Sequence, residues 1–304
     1  MVFNLSEYSM IPGHVPASGK PDYFQKIPKV IRQTMKSNHV PSIMKDFSDS
    51  WMENNPEYEY RFYDDDAVVN FIRSDFPQFL KGYQKIRYGA SRADLWRYLV
   101  IYQFGGVYAD LDCRCLFPLR TWINPDSEYV TQLGVNHDIC QWLIISVPKN
   151  PIFLRAAEKS IQNIENNRTY CEYRGFESRD RKIEIRNAPL IKVSDHVMGL
   201  AGPPILQAAA EECLADGSLD GILPFTQVVC SSRGKSCQMN GNVLHDHGHP
   251  AYRKALKTLK TPHYTHGRHL ARIIGRLRSF GKNKAVPDGR ATRPGYAGKK
   301  NRKP

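Results

Sequence analysis

Two periods of apolar spacing take turns along the first half of the chain, and each switch between them marks an element. The run Ile27-Pro28-Lys29-Val30-Ile31 predicts an opening strand, with Pro28 at its start where a missing backbone donor is tolerated. Ile43, Phe47 and Trp51 are spaced for a helix from about Ser42 to Asn54; Ser42 can cap it and Asn55-Pro56 stops it. Tyr58-Glu59-Tyr60-Arg61-Phe62-Tyr63 alternates as a second strand, and Asp64-Asp65-Asp66 marks the start of a helix over Ala67 to Asp75. The strongest helix runs from about Ser91 to Phe104 and is stopped by Gly105-Gly106, with Val107-Tyr108-Ala109 following as a strand. Further on, Gln141 to Val147 predicts a buried strand and Asn150 to Glu165 a helix. Ala201-Gly202-Pro203-Pro204 predicts a turn opening a helix from Ile205 to Leu214. The charged, irregular stretch Asn166 to Lys192 reads as a surface loop or insertion. Strand–helix alternation of this kind predicts an α/β sandwich with ligands gathered at strand C-termini.

Length changes this picture little. A chain of 304 residues with 41% hydrophobic content builds one large domain, or one with a smaller addition. Residues 1–25, broken by Pro12, Pro16 and Pro21, read as an extended leader; 26–266 form the main domain. No stretch of about 18 apolar residues offers a membrane-spanning helix, and Met1 to Lys20 lacks the pattern of a secretory signal.

Charge changes it more. The net charge is +13, but Gly267 to Pro304 holds twelve Lys or Arg against the single acid Asp288, so the body is close to neutral. Within 267–304, Leu270, Ile273, Ile274 and Leu277 share one face of a basic helix reaching Phe280, followed by a disordered Pro/Gly/Lys-rich tail. The segment Leu270–Phe280 suits an anionic membrane surface, and so a lipid-linked acceptor; docking on the body through its apolar stripe is the plainer alternative. The basic run Lys299 to Lys303 comes without a nucleic-acid-binding fold, so nucleic acid is not the expected partner. Seven scattered cysteines and no visible signal predict reduced thiols and a cytoplasmic location, with the tail at the inner face of a membrane. Cys113 and Cys115 are one residue apart, too close for the usual paired zinc ligands.

The candidate chemistry lies in Asp110-Leu111-Asp112. On an extended backbone, positions i and i+2 point the same way, so two carboxylates at a strand end make half a site for a hard divalent cation, Mn²⁺ or Mg²⁺. Such a cation can bridge to a diphosphate. Asp94 and Arg97 are three apart on the preceding helix and share a face: an acid able to accept from hydroxyls beside a fork able to hold a phosphate oxygen. The plainer readings are a solvated turn for the first pair and an intrahelical ion pair for the second.

Together, Ala90-x-x-Ala93-Asp94-x-x-Arg97 and Gly105-Gly106-x-Tyr108-x-Asp110-x-Asp112 resemble glycosyltransferase family 32, which is named for its Asp-x-Asp motif. That family includes fungal initiating mannosyltransferases and bacterial capsule enzymes, and the large clostridial glucosylating toxins share the block. Ile27 to Thr34, Trp51, Asn55-Pro56 and the aromatic strand up to Asp64 also look like the family, so the similarity spans about residues 27–120. The resemblance implies a GT-A-like fold with a single Rossmann-type sheet sandwiched by helices. It implies metal-dependent transfer of a hexose, with retention, from a nucleotide-diphosphate sugar to a glycan or lipid-linked acceptor hydroxyl. Asp110, Asp112 and Arg97 would then be catalytic, with Asp110 and Asp112 on the metal. Asp94, Arg97 and Tyr108 would meet the donor, as would Ile31, Gln33 and Met35 of the opening strand; Arg32 and Met35 stand where the family usually has His and Trp. Relatives finish the metal site with a late segment, for which His245 is the leading candidate among His245, His247, His249, His263 and His266. The alternative is a non-catalytic sugar-nucleotide or glycan-binding protein on the same fold.

Overall fold

The periodic segments become elements in the computed structural model, which describes residues 8–18, 23–86, 88–133, 139–166, 197–219, 225–233, 236–239, 242–246, 250–252 and 254. In chain order these are β1 (Tyr8–Met10), β2 (His14–Val15), β3 (Val30–Thr34), β4 (His39–Pro41), α1 (Ser42–Asn54), β5 (Glu59–Tyr63), α2 (Asp65–Asp75), α3 (Pro77–Gln84), α4 (Gly89–Phe104), β6 (Gly106–Ala109), β7 (Cys113–Cys115), β8 (Tyr129–Leu133), β9 (Leu143–Ser146), α5 (Pro151–Glu165), α6 (Val197–Ala201), α7 (Pro203–Ala215), β10 (Phe225–Arg233), β11 (Ser236–Met239) and β12 (Val243–His245). The sequence pattern gave no sign of α3, β8 or β10–β12. The insertion from 167 to 192, the tail from 267, and His247, His249, His263 and His266 lie outside the described residues.

The α/β expectation holds: helices flank a mixed sheet of order β2-β5-β3-β6-β9-β8-β10-β11-β12-β7. Strands β5, β3 and β6 run parallel, while β9 lies antiparallel to both β6 and β8. Alternation fixes the two faces. Val107 and Ala109 of β6 point into a core shared with Ile43, Phe47 and Trp51 of α1, and Tyr108 points into the other, shared with Trp96 and Leu99 of α4. Each fully buried side chain of this size stabilises by about 1.5–3 kcal/mol, so both layers are firmly held on the sheet.

Local chemistry sets the boundaries. The opening strand starts at Val30, not Ile27, because Pro28 has no N–H and its carbonyl accepts the Val30 N–H at 2.9 Å. Ser42 is the first helical residue rather than the cap, and its hydroxyl lies 3.4 Å from that of Ser9. Asp64 does cap α2, accepting from the Ala67 N–H at 2.8 Å, and Asn150 caps α5. Between α4 and β6, Gly105 (φ 61°) and Gly106 (φ 94°) adopt left-handed backbone. A Cβ on Gly106 would come within 2.6 Å of both the Val30 carbonyl and Arg32, so the double glycine lets β6 leave α4 directly against β3.

The segment read as a leader is built into the fold: β1 pairs with β4, β2 extends the main sheet beside β5, and Ile11 is buried. Among the described residues, no helix is long and apolar enough to cross a membrane.

Candidate active site

The site forms where β6 ends and β9 begins, since antiparallel pairing puts those two ends together. Asp110 N–H donates to the Trp142 carbonyl at 2.8 Å, which extends the pairing by one residue. The backbone then turns: Cys113 N–H returns to the Asp110 carbonyl at 3.0 Å. Strand alternation therefore ends at Asp110, inside the acid pair, and no longer ties the two carboxylates to one face. They acquire different partners.

Asp110 keeps the side of Tyr108 and faces α4. Its Oδ1 accepts from the Tyr108 hydroxyl and from Arg97 Nη2, the latter at 3.1 Å. The same Nη2 reaches Asp94 Oδ1 at 2.9 Å, and Gln141 Nε2 donates to that oxygen at 2.9 Å. Arg97 is spent further on backbone carbonyls, Nη1 on Gln141 at 2.8 Å and Nε on Ala93 at 3.3 Å, while its cation lies 4.6 Å from the centre of the Tyr108 ring. The fork expected to hold a donor phosphate is thus committed to protein. The helical i, i+3 spacing brings Asp94 and Arg97 together as predicted, and burial makes the pair part of the wall.

Burial dominates the electrostatics here. It pushes the Asp94 carboxyl up to about 7, with Arg97 opposing and Asp110 adding to the rise. Asp110 is raised too, by burial first and Asp112 next, against Arg97. Burial works against the Arg97 guanidinium, but Asp110, Tyr108 and Asp94 together hold it charged well above its ordinary value.

Asp112 faces the far strand instead. Antiparallel pairing of β7 with β12 sets Cys113 opposite His245, and His245 Nε2 comes to 3.2 Å from Asp112 Oδ1. Asp246 N–H adds a bond to the Asp112 carbonyl at 3.0 Å, and Trp142 stacks on the His245 ring, centroids 4.8 Å apart and 18° from parallel. Asp112, Cys113 and His245 each offer one ligand atom within 4.8 Å of the others. A carboxylate and an imidazole side by side at a strand end suit a divalent cation, so the residues fit the group the motif implies.

Strand β3 supports the site rather than lining it. Ile31 is fully buried. Gln33 is also buried; its Oε1 accepts from Ser48 (2.6 Å) and Tyr60 (2.9 Å), and its Nε2 donates to the Asp110 carbonyl at 3.3 Å. Both were expected to meet the donor, but the sheet consumes their surface; Met35, beyond the strand, is only partly buried. Tyr108, also expected at the donor, is 1% exposed and edge-on to Trp96, leaving it to orient Asp110. Arg32 is buried against Phe104 and donates to the Gly105 carbonyl at 2.7 Å, which fastens the glycine turn. Trp51 Nε1 of α1 donates to the Cys113 carbonyl at 2.8 Å, and Asn55, just past the end of α1, accepts from the Leu119 N–H at 2.6 Å, so α1 and its C-cap clamp the chain leaving the acid pair.

Three participants escaped the sequence reading. Gln141 bridges Asp94 and Arg97, Tyr98 places its hydroxyl between Gln141 Oε1 and the Ala201 carbonyl (2.7 Å), and Trp142 stacks on His245. The available signal was a Gln at the mouth of an apolar strand.

Residues 41–129 match the family model described as "Glycosyltransferase sugar-binding region containing DXD motif". Among curated relatives, the "Mannosyl phosphorylinositol ceramide synthase SUR1" of Saccharomyces cerevisiae is 34% identical over 144 residues, 46% of this chain and 36% of that protein. The "Inositol phosphoceramide mannosyltransferase 2" of Schizosaccharomyces pombe is 35% identical over 147 residues, 46% of this chain and 39% of that protein. These matches span little more than a third of the length of each relative. A solved structure titled "PaToxG Glycosyltransferase" aligns with a TM-score of 0.45 at 18% identity, covering 65% of this chain and 74% of that one.

Proposed function

Because residues 41–129 carry a glycosyltransferase sugar-binding region with its DXD motif, we propose that this chain is a divalent-cation-dependent hexosyltransferase. It moves a sugar, with retention, from a nucleotide diphosphate to an acceptor hydroxyl. The names of its relatives favour mannose as the sugar and an inositol phosphoceramide as the acceptor, within the broader class of glycan or lipid-linked acceptors. The cation-dependent part of the reading is carried by one observation, the approach of His245 Nε2 to 3.2 Å from Asp112 Oδ1 beside an Asp110 already anchored by Arg97.

Asp112 and His245 would hold the cation, with Asp110 alongside. A cation held there would supply positive charge next to a departing diphosphate, on which negative charge grows as the glycosidic C–O bond breaks. Arg97 and Tyr108 fix the direction in which Asp110 points, and Arg97 favours its ionised form. Asp94 and Gln141 hold Arg97 in turn, so the guanidinium acts through Asp110 rather than as the main grip on phosphate.

The test is nucleotide release from a panel of nucleotide-diphosphate sugars in the presence of Mn²⁺, with thermal shift in parallel. Release from a mannosyl donor, abolished by EDTA and by Asp112→Ala, is the expected result. Stabilisation by a donor without any release would favour the binding-protein alternative, and indifference to every donor would overturn both.

A further inference from the structure

The turn that carries the acid pair also carries a thiol, and a motif of two aspartates does not call for one. Cys113 is fully buried at the start of β7 and held by its backbone on both sides, its N–H on the Asp110 carbonyl (3.0 Å) and its carbonyl under Trp51 Nε1 (2.8 Å). Its register partner across the sheet is His245, whose ring is fixed by the Trp142 stack. The outcome is one oxygen, one sulfur and one nitrogen donor, from Asp112, Cys113 and His245, all within 4.8 Å of one another. Two adjacent residues and a cross-strand neighbour supply them, so the spacing follows from backbone pairing and not from mobile side chains.

A mixed donor set of this kind discriminates between cations. Hard ions take oxygen ligands and gain little from sulfur, whereas zinc is held by thiolate, imidazole and carboxylate alike and binds such sites more tightly than manganese does. We propose that Asp112, Cys113 and His245 form a site for a borderline cation of the zinc class, which competes there with the hard cation of the transfer reaction. On binding, the Cys113 thiol gives up its contact with the Trp142 carbonyl (3.7 Å), the S–H bond breaks with its proton passing to solvent, and a sulfur lone pair forms the bond to the metal; nothing is oxidised or reduced. Zinc is therefore an inhibitor, and Cys113 is the residue that makes it one. The site itself stands on the three side chains; only the inhibition rests on the transferase reading.

Cobalt(II) is the probe for the site, since a cobalt–thiolate bond gives a near-ultraviolet charge-transfer band. The full-length wild-type protein should show that band with one equivalent of Co²⁺. Cys113→Ser should lose it, and Cys140→Ser, which changes a partly buried thiol outside the set, should keep it. Manganese binding, followed by loss of the free-ion paramagnetic resonance signal, should survive Cys113→Ser, while the zinc needed to displace manganese should rise about 10-fold or more. Absence of the band in the folded wild type, or its persistence in Cys113→Ser, overturns the proposal. Should the variants fail to fold, X-ray absorption at the zinc edge of the wild type decides: a sulfur at about 2.3 Å supports the site, and a shell of nitrogen and oxygen alone refutes it. A cobalt–thiolate band in a protein that turns over no nucleotide sugar would leave this site standing and remove the transferase reading.

Discussion

The two halves of the site are built on opposite plans. On the α4 side, Arg97 and Asp94 are 4% and 5% exposed, and their polar contacts come from α4 itself and from Asp110 and Gln141, at the neighbouring ends of β6 and β9. On the β12 side, Asp112 and His245 are each 14% exposed and meet only because β7 pairs with a strand from far along the chain. The inner half holds one guanidinium against two carboxylates that burial pushes upward, so it is short of positive charge. The outer half is where such charge can be added, by a cation between Asp112 and His245. The difference teaches a division of labour: the buried half sets direction and potential, and the accessible half exchanges ligands.

The largest expected effect breaks the outer half alone. Asp112→Ala should lower turnover about 10²–10⁴-fold, because a bound cation contributes several kcal/mol at a developing phosphate charge. The melting temperature should hardly move, since Asp112 sits in a turn and not in either core. Turnover within a few-fold of wild type would show that the cation is held elsewhere.

Breaking the inner half should show in stability instead. Arg97→Ala leaves Asp94 and Asp110 without their shared cation, and losing one partner of a buried pair costs about 3–5 kcal/mol. Urea unfolding of the variant measures this directly. A loss below about 1 kcal/mol would mean that the carboxylates simply take up protons, and that the guanidinium is not what holds this wall together.

The same contrast explains what could be read from the sequence. The α4 half was legible because its partners are close along the chain: the i, i+3 pair, the double glycine and the strand after it obey local rules. What failed there was burial. Gln33 and Tyr108 contact Asp110, but sheet pairing and the two helix layers enclose them, and Ile31 with them. Alternation from Asp110 to Asp112 failed for a local reason, the turn closed by the Cys113 N–H, which the apolar pattern does not mark. The outer half depends on β7 meeting β12, a pairing no local period encodes, so His245 was reached only through the family resemblance and its stacking partner Trp142 was not named.

A smaller change probes how the inner half is tied to the helical layer. Tyr98→Phe removes the hydroxyl whose single proton is shared between Gln141 Oε1 and the Ala201 carbonyl, and leaves one buried acceptor short of a donor. The expected cost is about 1–3 kcal/mol in urea unfolding, with a modest fall in turnover as Gln141 loosens its hold on Asp94. Unchanged stability together with unchanged turnover would remove Tyr98 and Gln141 from the supporting network.

The finest test asks whether the inner half really lacks positive charge. Asp94 is raised from 3.8 to about 7, chiefly by burial. A carboxyl raised on folding binds its proton more tightly in the native state than in the unfolded chain. Its contribution to stability is complete below about pH 3.8 and is lost as pH rises through about 7. Asp94→Asn removes that titration. The stability of the wild type minus that of the variant should therefore fall as pH rises across this window, by at most about 1.4 kcal/mol per pH unit, whatever the constant part of the difference. Taking the difference cancels the titration of groups the substitution does not touch, to the extent that they titrate alike in both proteins. A flat difference would mean that Asp94 stays ionised throughout, with Arg97 outweighing burial. The inner half would then carry a full negative charge, and the case for a cation next to it would be stronger.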